Sequence, residues 1–140
     1  MTTNRPAPIS VIQTRETSTS RYELRSDGII AQRIRSTKTQ SLADARENTA
    51  AFVELAAGEK RPLLVDLRVK FATDPGVREY YAGPEATAMV CSIAMVIDST
   101  AGRLLGNFFL ALQAPNVPTR MFAEEAAALD WLERLGPLSK

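Results

Sequence analysis

The residues able to do chemistry gather in two short stretches of this 140-residue chain. The first holds Asp66, Arg68, Thr73, Asp74 and Arg78; the second holds Asp98, Ser99, Thr100 and Arg103. Carboxylates beside arginines form ion pairs, and a helix N-terminus flanked by hydroxyls and an arginine can hold an anion. Thr73, Asp74, Arg78, Asp98, Ser99 and Arg103 are therefore the candidate binding residues. Each also has a plain structural reading. Asp74 before Pro75 serves as the N-cap of a helix. Asp66, at the end of an apolar run, needs a counter-charge from Arg68, Arg78 or Arg103. Asp98 repels an anion placed next to it, and the spacing around Gly102 matches no phosphate loop.

Other chemistries lack their residues. The chain has no histidine, which removes the commonest general base, the triads built on it and most zinc sites. Cys91 is the only cysteine, so no internal disulfide can form, and its apolar neighbours mark it as a core residue. No nucleophile–base pair can be assembled. The expectation is a protein that is not an enzyme, with no catalytic residue, metal or cofactor.

Charge narrows the partners. The net charge is +1, so no global field draws the chain to nucleic acid. Residues 1–38 carry seven basic and three acidic side chains, against ten and thirteen in residues 39–140. This reads as a solvated basic arm and hairpin. No apolar run approaches the roughly 20 residues of a membrane span, and the N-terminus lacks the apolar core of a signal peptide. The expected location is cytoplasmic.

The elements that must position these residues follow from periodicity. Residues 1–19 read as a flexible arm, with Ile9, Val11 and Ile12 able to form at most a stray edge strand. Arg21–Arg35 reads as a β-hairpin turning at Asp27-Gly28, with Tyr22 and Leu24 on one face. Ile30 and Ile34 share a face with the polar Gln32 between them, and Arg33 and Arg35 lie opposite. Ser41–Ala57 reads as a helix, capped by Ser41 with Asp44 three residues on and closed by Gly58. Leu63, Leu64, Val65 and Leu67 predict a strand covered on both faces.

A second helix starts at Pro75 and is interrupted at Gly83-Pro84. Val90–Ile97 reads as a buried strand, and Thr119–Phe122 as a short one. Between them, Ala101–Gln113 predicts a third helix, with Leu105, Phe108, Phe109 and Leu112 on one stripe and Leu104 widening it. A last helix carries Ala128, Trp131, Leu132 and Leu135 and ends at Gly136-Pro137. Strands alternating with helices imply an α/β fold: a mixed, mostly parallel sheet with an N-terminal antiparallel hairpin and about four helices. Residues 20–137 form its single domain. The ligand-bearing rim of such a sheet lies beyond its carboxyl ends, here residues 68–74 and 98–103.

That order, with PLLVDLRVKFATDPGV at its centre, resembles the STAS fold of anti-sigma-factor antagonists. Asp66-Leu67, Phe71 and Gly76-Val77 match the family's strand end, its phenylalanine and the start of its helix. Thr73, Asp74 and Pro75 stand where the family has Asp-Ser-Ser, so proline occupies the place of the phosphorylatable serine. GNFFLAL and PTRMFAEEAAALDWL are similar to a group of small bacterial STAS-like proteins. The resemblance implies a STAS-like domain over about residues 20–136 that binds partner proteins; relatives in the lipid-carrier superfamily bind apolar ligands.

The expected function is a non-enzymatic regulatory or interaction module acting as a homo-oligomer or on a regulatory protein. The alternative is an apolar-ligand or lipid binder of the same fold. The third helix is the main lead, because a helix apolar nearly all round must be buried. Leu104, Leu105, Phe108, Phe109 and Leu112 are its expected contacts, with a subunit interface, burial under the last helix or an apolar ligand as the coverings.

Overall fold

Strict alternation along Ser20–Arg25 (β2), paired antiparallel with the almost wholly buried Ile30–Ile34 (β3), builds the hairpin that turns at Asp27-Gly28. The structure is a computed structural model that describes residues 8–69, 71–98 and 117–136. The turn is a three-residue loop rather than the expected two-residue one. Arg25 N–H donates to Ile29 O at 2.9 Å and Gly28 N–H to Arg25 O at 2.9 Å. Gly28 takes φ 88°, the left-handed position that such a loop requires. Asp27 accepts from Arg25 at 2.8 Å and from Ile29 N–H at 3.2 Å, which fixes the loop from within.

Val11–Glu16 (β1) pairs antiparallel with β2. Residues 11–16 thus form the edge strand that the sequence allows at most as a stray element of a flexible arm. Six residues with little apolar content acquire order because β2 offers a ladder of unpaired backbone groups. Thr17 and Thr19 then join this end to α1 (Leu42–Ala56) through Asn48.

Arg61–Asp66 (β4), Val90–Val96 (β5) and Thr119–Phe122 (β6) complete a six-stranded sheet in the order β1-β2-β3-β4-β5-β6. Pairing is antiparallel through β3 and parallel from β3 to β6. The mixed α/β sheet with its N-terminal hairpin is therefore the fold the sequence predicts.

α1 has the expected capping box, with Asp44 N–H donating to Ser41 Oγ at 3.1 Å and Ser41 N–H to Asp44 Oδ2 at 2.9 Å. Its end lies one residue earlier than expected, at Ala57, which takes the left-handed conformation ahead of Gly58. Val77–Ala82 (α2) and Pro84–Thr87 (α3) follow β4, and Glu125–Leu135 (α4) follows β6.

The two faces of the sheet are covered differently. α4 lays Ala128 and Leu132 on Ile29, Ala31, Leu64, Ala94 and Val96. The small Ala31 and Ala94 let the helix approach closely. The other face carries Tyr22, Leu24, Ile30, Ile34, Ile93 and Met95 under Phe52, Leu55 and Ala56 of α1. The expected third helix, residues 101–113, lies outside the described residues.

Candidate functional site

Register places the side chains that matter. Tyr22, Gln32, Val65 and Met95 stand in one row across β2, β3, β4 and β5, and Leu24, Ile30, Leu63 and Ile93 form the next. On a central strand both faces are normally covered. Here Leu64, on the α4 side, has 0% exposure, while Leu63 and Val65 on the other side are only half-buried. Between that face and α1, α2 and α3 lies a cavity of about 80 Å³. Phe52, Phe71 and Leu67 supply further apolar wall, and Thr73, Ala86 and Thr87 border it.

One group of polar side chains faces this cavity. Gln40 is buried, and its backbone bridges to the loop after β4: Gln40 N–H donates to Ala72 O and Asp74 N–H to Gln40 O, each at 2.8 Å. Its Oε1 accepts from the Tyr81 hydroxyl at 2.8 Å. Tyr81 in turn accepts from Asn48 Nδ2 at 2.9 Å. Removal from water pushes the Tyr81 hydroxyl up to about 12. Burial, with Tyr81 and Tyr80 nearby, also holds the Tyr22 hydroxyl well above its ordinary value. Both phenols are neutral donors at physiological pH.

The opposite face holds a charge cluster at the carboxyl end of the sheet. Arg33 grips both oxygens of Glu125, the second at 2.9 Å. Arg68 grips both oxygens of Asp66, each at 2.8 Å, and reaches Glu125 at 3.4 Å. Hydrogen bonds from Arg68 hold the Asp66 carboxyl below its usual range, and those from Arg33 do the same for Glu125. Each charge has an opposite neighbour, so the cluster is closed on itself and fastens α4 to β3 and β4. Arg68, one of the counter-charges the sequence offers Asp66, is bonded to it, and Arg33 adds a contact at 3.6 Å; Arg103 lies outside the described residues.

A family model described as a domain of unknown function (DUF7793) matches residues 22–136. The chain belongs to this family. No curated protein matches this DUF7793 chain. Among solved structures it is similar to an uncharacterised protein of the DUF3478 family from Shewanella loihica, described as having a SpoIIAA-like fold. The two share 14% identity over 94% of this chain and 99% of the other, with a TM-score of 0.55. The STAS-like fold that the DLRVKF stretch suggests is thus the fold of this domain; the likeness extends to architecture alone.

The expected site residues of the DUF7793 domain are scattered by that fold. Thr73 borders the cavity and forms a parallel bridge with Gln40. Asp74 is exposed and does not cap α2. Its N–H is drawn to Gln40 O, the chain turns at Pro75-Gly76, and Gly76 at φ 89° becomes the N-cap without a side-chain bond. Arg78 lies exposed on α2, and Asp98 is exposed after β5. Ser99, Arg103, Leu104, Leu105, Phe108, Phe109 and Leu112 lie outside the described residues. Tyr22, Gln32, Gln40 and Tyr81 are absent from the expected set. Gln32 carries the one legible signal, a polar residue between Ile30 and Ile34 on the inward face of its strand.

Proposed function

We propose that this SpoIIAA-like domain is a non-enzymatic module that takes up a small apolar ligand in the cavity beneath α1, α2 and α3. The half-buried Leu63 and Val65 on a central strand carry this reading. Apolar side chains at the middle of a sheet are stabilised by burial, about 1.5–3 kcal/mol for a Val or Leu side chain. A ligand supplies the part of that burial that the described helices α1, α2 and α3 leave out. Interaction with a regulatory protein is supported by the fold resemblance alone. Self-association has one observation of its own, the exposed Val11 and Ile12 on edge strand β1.

The test is to purify the chain under native conditions, denature it, and identify released small molecules by mass spectrometry. A near-stoichiometric organic compound is expected. Val65→Phe, which fills the cavity from its floor, should lose that compound and keep its melting temperature. A wild type that releases nothing, and that Val65→Phe stabilises as a simple void filler, sinks the reading. Light scattering on the same preparation decides the β1 alternative: a monomer at high micromolar concentration rejects it.

A further inference from the structure

We infer that the cavity selects an uncharged, mostly apolar molecule whose oxygen function, a carbonyl or hydroxyl, accepts a hydrogen bond from Tyr22. This rests on the reading of the cavity as a binding site. Tyr22 lines the cavity and is 3% exposed, and among the described residues its hydroxyl has no hydrogen-bond partner. Two amides beside it are half satisfied. Gln32, its cross-strand neighbour, donates to Ser20 Oγ at 3.1 Å, and its Oε1 has no partner among the described residues. Gln40, 1% exposed, accepts from Tyr81, and its Nε2 has none either.

Buried polar groups in folded proteins are paired almost without exception, because an unpaired one forfeits its bonds to water. Tyr22, Gln32 and Gln40 all line the cavity, and Gln32 sits directly across the strand pair from Tyr22, so these open valences face one enclosed space. Two of them, Tyr22 O–H and Gln40 N–H, are donors, which fits an acceptor oxygen. The rest of the lining fixes the charge. No Asp, Glu, Lys or Arg lines the cavity among the described residues. A carboxylate or ammonium there would be buried without a counter-ion. The volume of about 80 Å³ is roughly half that of a 150 Å³ cavity known to admit benzene. The enclosed part of the ligand is therefore small, and a longer chain leaves along the half-buried Leu63, Val65 and Phe71.

Amide resonances of the full chain can be titrated at pH 7 with 2-hexanone, 1-hexene and hexanoate, in the wild type and in Tyr22→Phe. The ketone should bind roughly threefold to tenfold more tightly than the alkene, the worth of one hydrogen bond. Hexanoate should bind more weakly than either. Tyr22→Phe should erase the advantage of the ketone and leave the alkene unchanged. Equal affinity for ketone and alkene in the wild type overturns the ligand class while leaving cavity binding intact; this comparison needs no variant. The ligand class is likewise overturned if the advantage survives in Tyr22→Phe, or if hexanoate binds most tightly. If no probe moves a cavity resonance, the binding reading falls and this inference falls with it.

Discussion

Tyr81 donates its hydroxyl hydrogen to Gln40 Oε1 at 2.8 Å, across a sequence separation of 41 residues. The bond ties α2 to the segment that enters α1, and Asn48 extends it to Thr19 at the start of β2. Three parts of the chain distant in sequence are therefore joined through the Tyr81 phenol and the Asn48 amide.

Tyr81→Phe should destabilise the fold by about 1–3 kcal/mol, because it leaves the buried Gln40 and Asn48 each short of a partner. The pH dependence has a definite sign. Burial raises the Tyr81 hydroxyl from 10.0 to about 12 in the folded chain. Its stabilising contribution is fully present below pH 10, where both states hold the proton. From pH 10 to about 12 the unfolded chain releases the proton and the folded chain keeps it, so stability falls. Thermal melts from pH 8 to 12 should show a shallower alkaline decline in Tyr81→Phe than in the wild type. Parallel profiles would falsify the assignment of that decline to Tyr81.

The fold is legible in the sequence where local chemistry and burial agree. Ser41 and Asp44 announce the start of α1, Asp27-Gly28 the hairpin, and Gly136 the end of α4. The start of α2 is misread because a long-range bridge decides it. Asp74 and Pro75 form a plausible cap and first turn, but the Asp74 N–H is taken by Gln40 O from another part of the chain. β1 is legible only as a stray edge strand for the same reason, since its order comes from β2 rather than from its own composition. The cavity is less legible still. Leu63, Leu64, Val65 and Leu67 read as a strand covered on both sides, and nothing local says that Leu63 and Val65 stay half-buried beside a cavity. Gln32 is the exception, since polarity at an inward strand position is visible without the structure.

Removing residues 1–19 should now be costly, whereas a flexible arm would be dispensable. The truncation deletes β1 and exposes the edge of β2. It also removes Thr17 and Thr19, which bond to Asn48 at 2.6 and 3.0 Å, and leaves that fully buried amide short of partners. Two lost partners of a buried group amount to about 2–4 kcal/mol. At roughly 2–8 °C per kcal/mol for domains of this size range, the melting temperature should fall by roughly 4–30 °C. A chain starting at Ser20 that melts within two or three degrees of the intact one would return residues 11–16 to the status of an accessory arm.

The charge cluster on the α4 face makes stability depend on acid. Arg33 holds the Glu125 carboxyl below its ordinary 4.5, and Arg68 holds Asp66 below 3.8. For such groups the stabilisation is complete above the unfolded value and is lost as pH falls through the lower, folded one. Glu125→Gln keeps the shape of the side chain and removes the charge. At pH 7 it should cost roughly 1–2 kcal/mol, between the worth of an exposed pair and that of a fully buried one, since both partners are about three-quarters buried. Arg33 keeps weaker contacts to Asp66 at 3.6 Å and Glu23 at 3.5 Å, which limits the loss. Lowering the pH from 7 to 3 moves towards the lowered carboxyl value, where the wild type loses this stabilisation, so the two proteins should come closer in stability. Urea denaturation of both proteins at the two pH values measures this directly. A stability difference of the same size at pH 7 and pH 3 would show that Glu125 acts by packing rather than by charge.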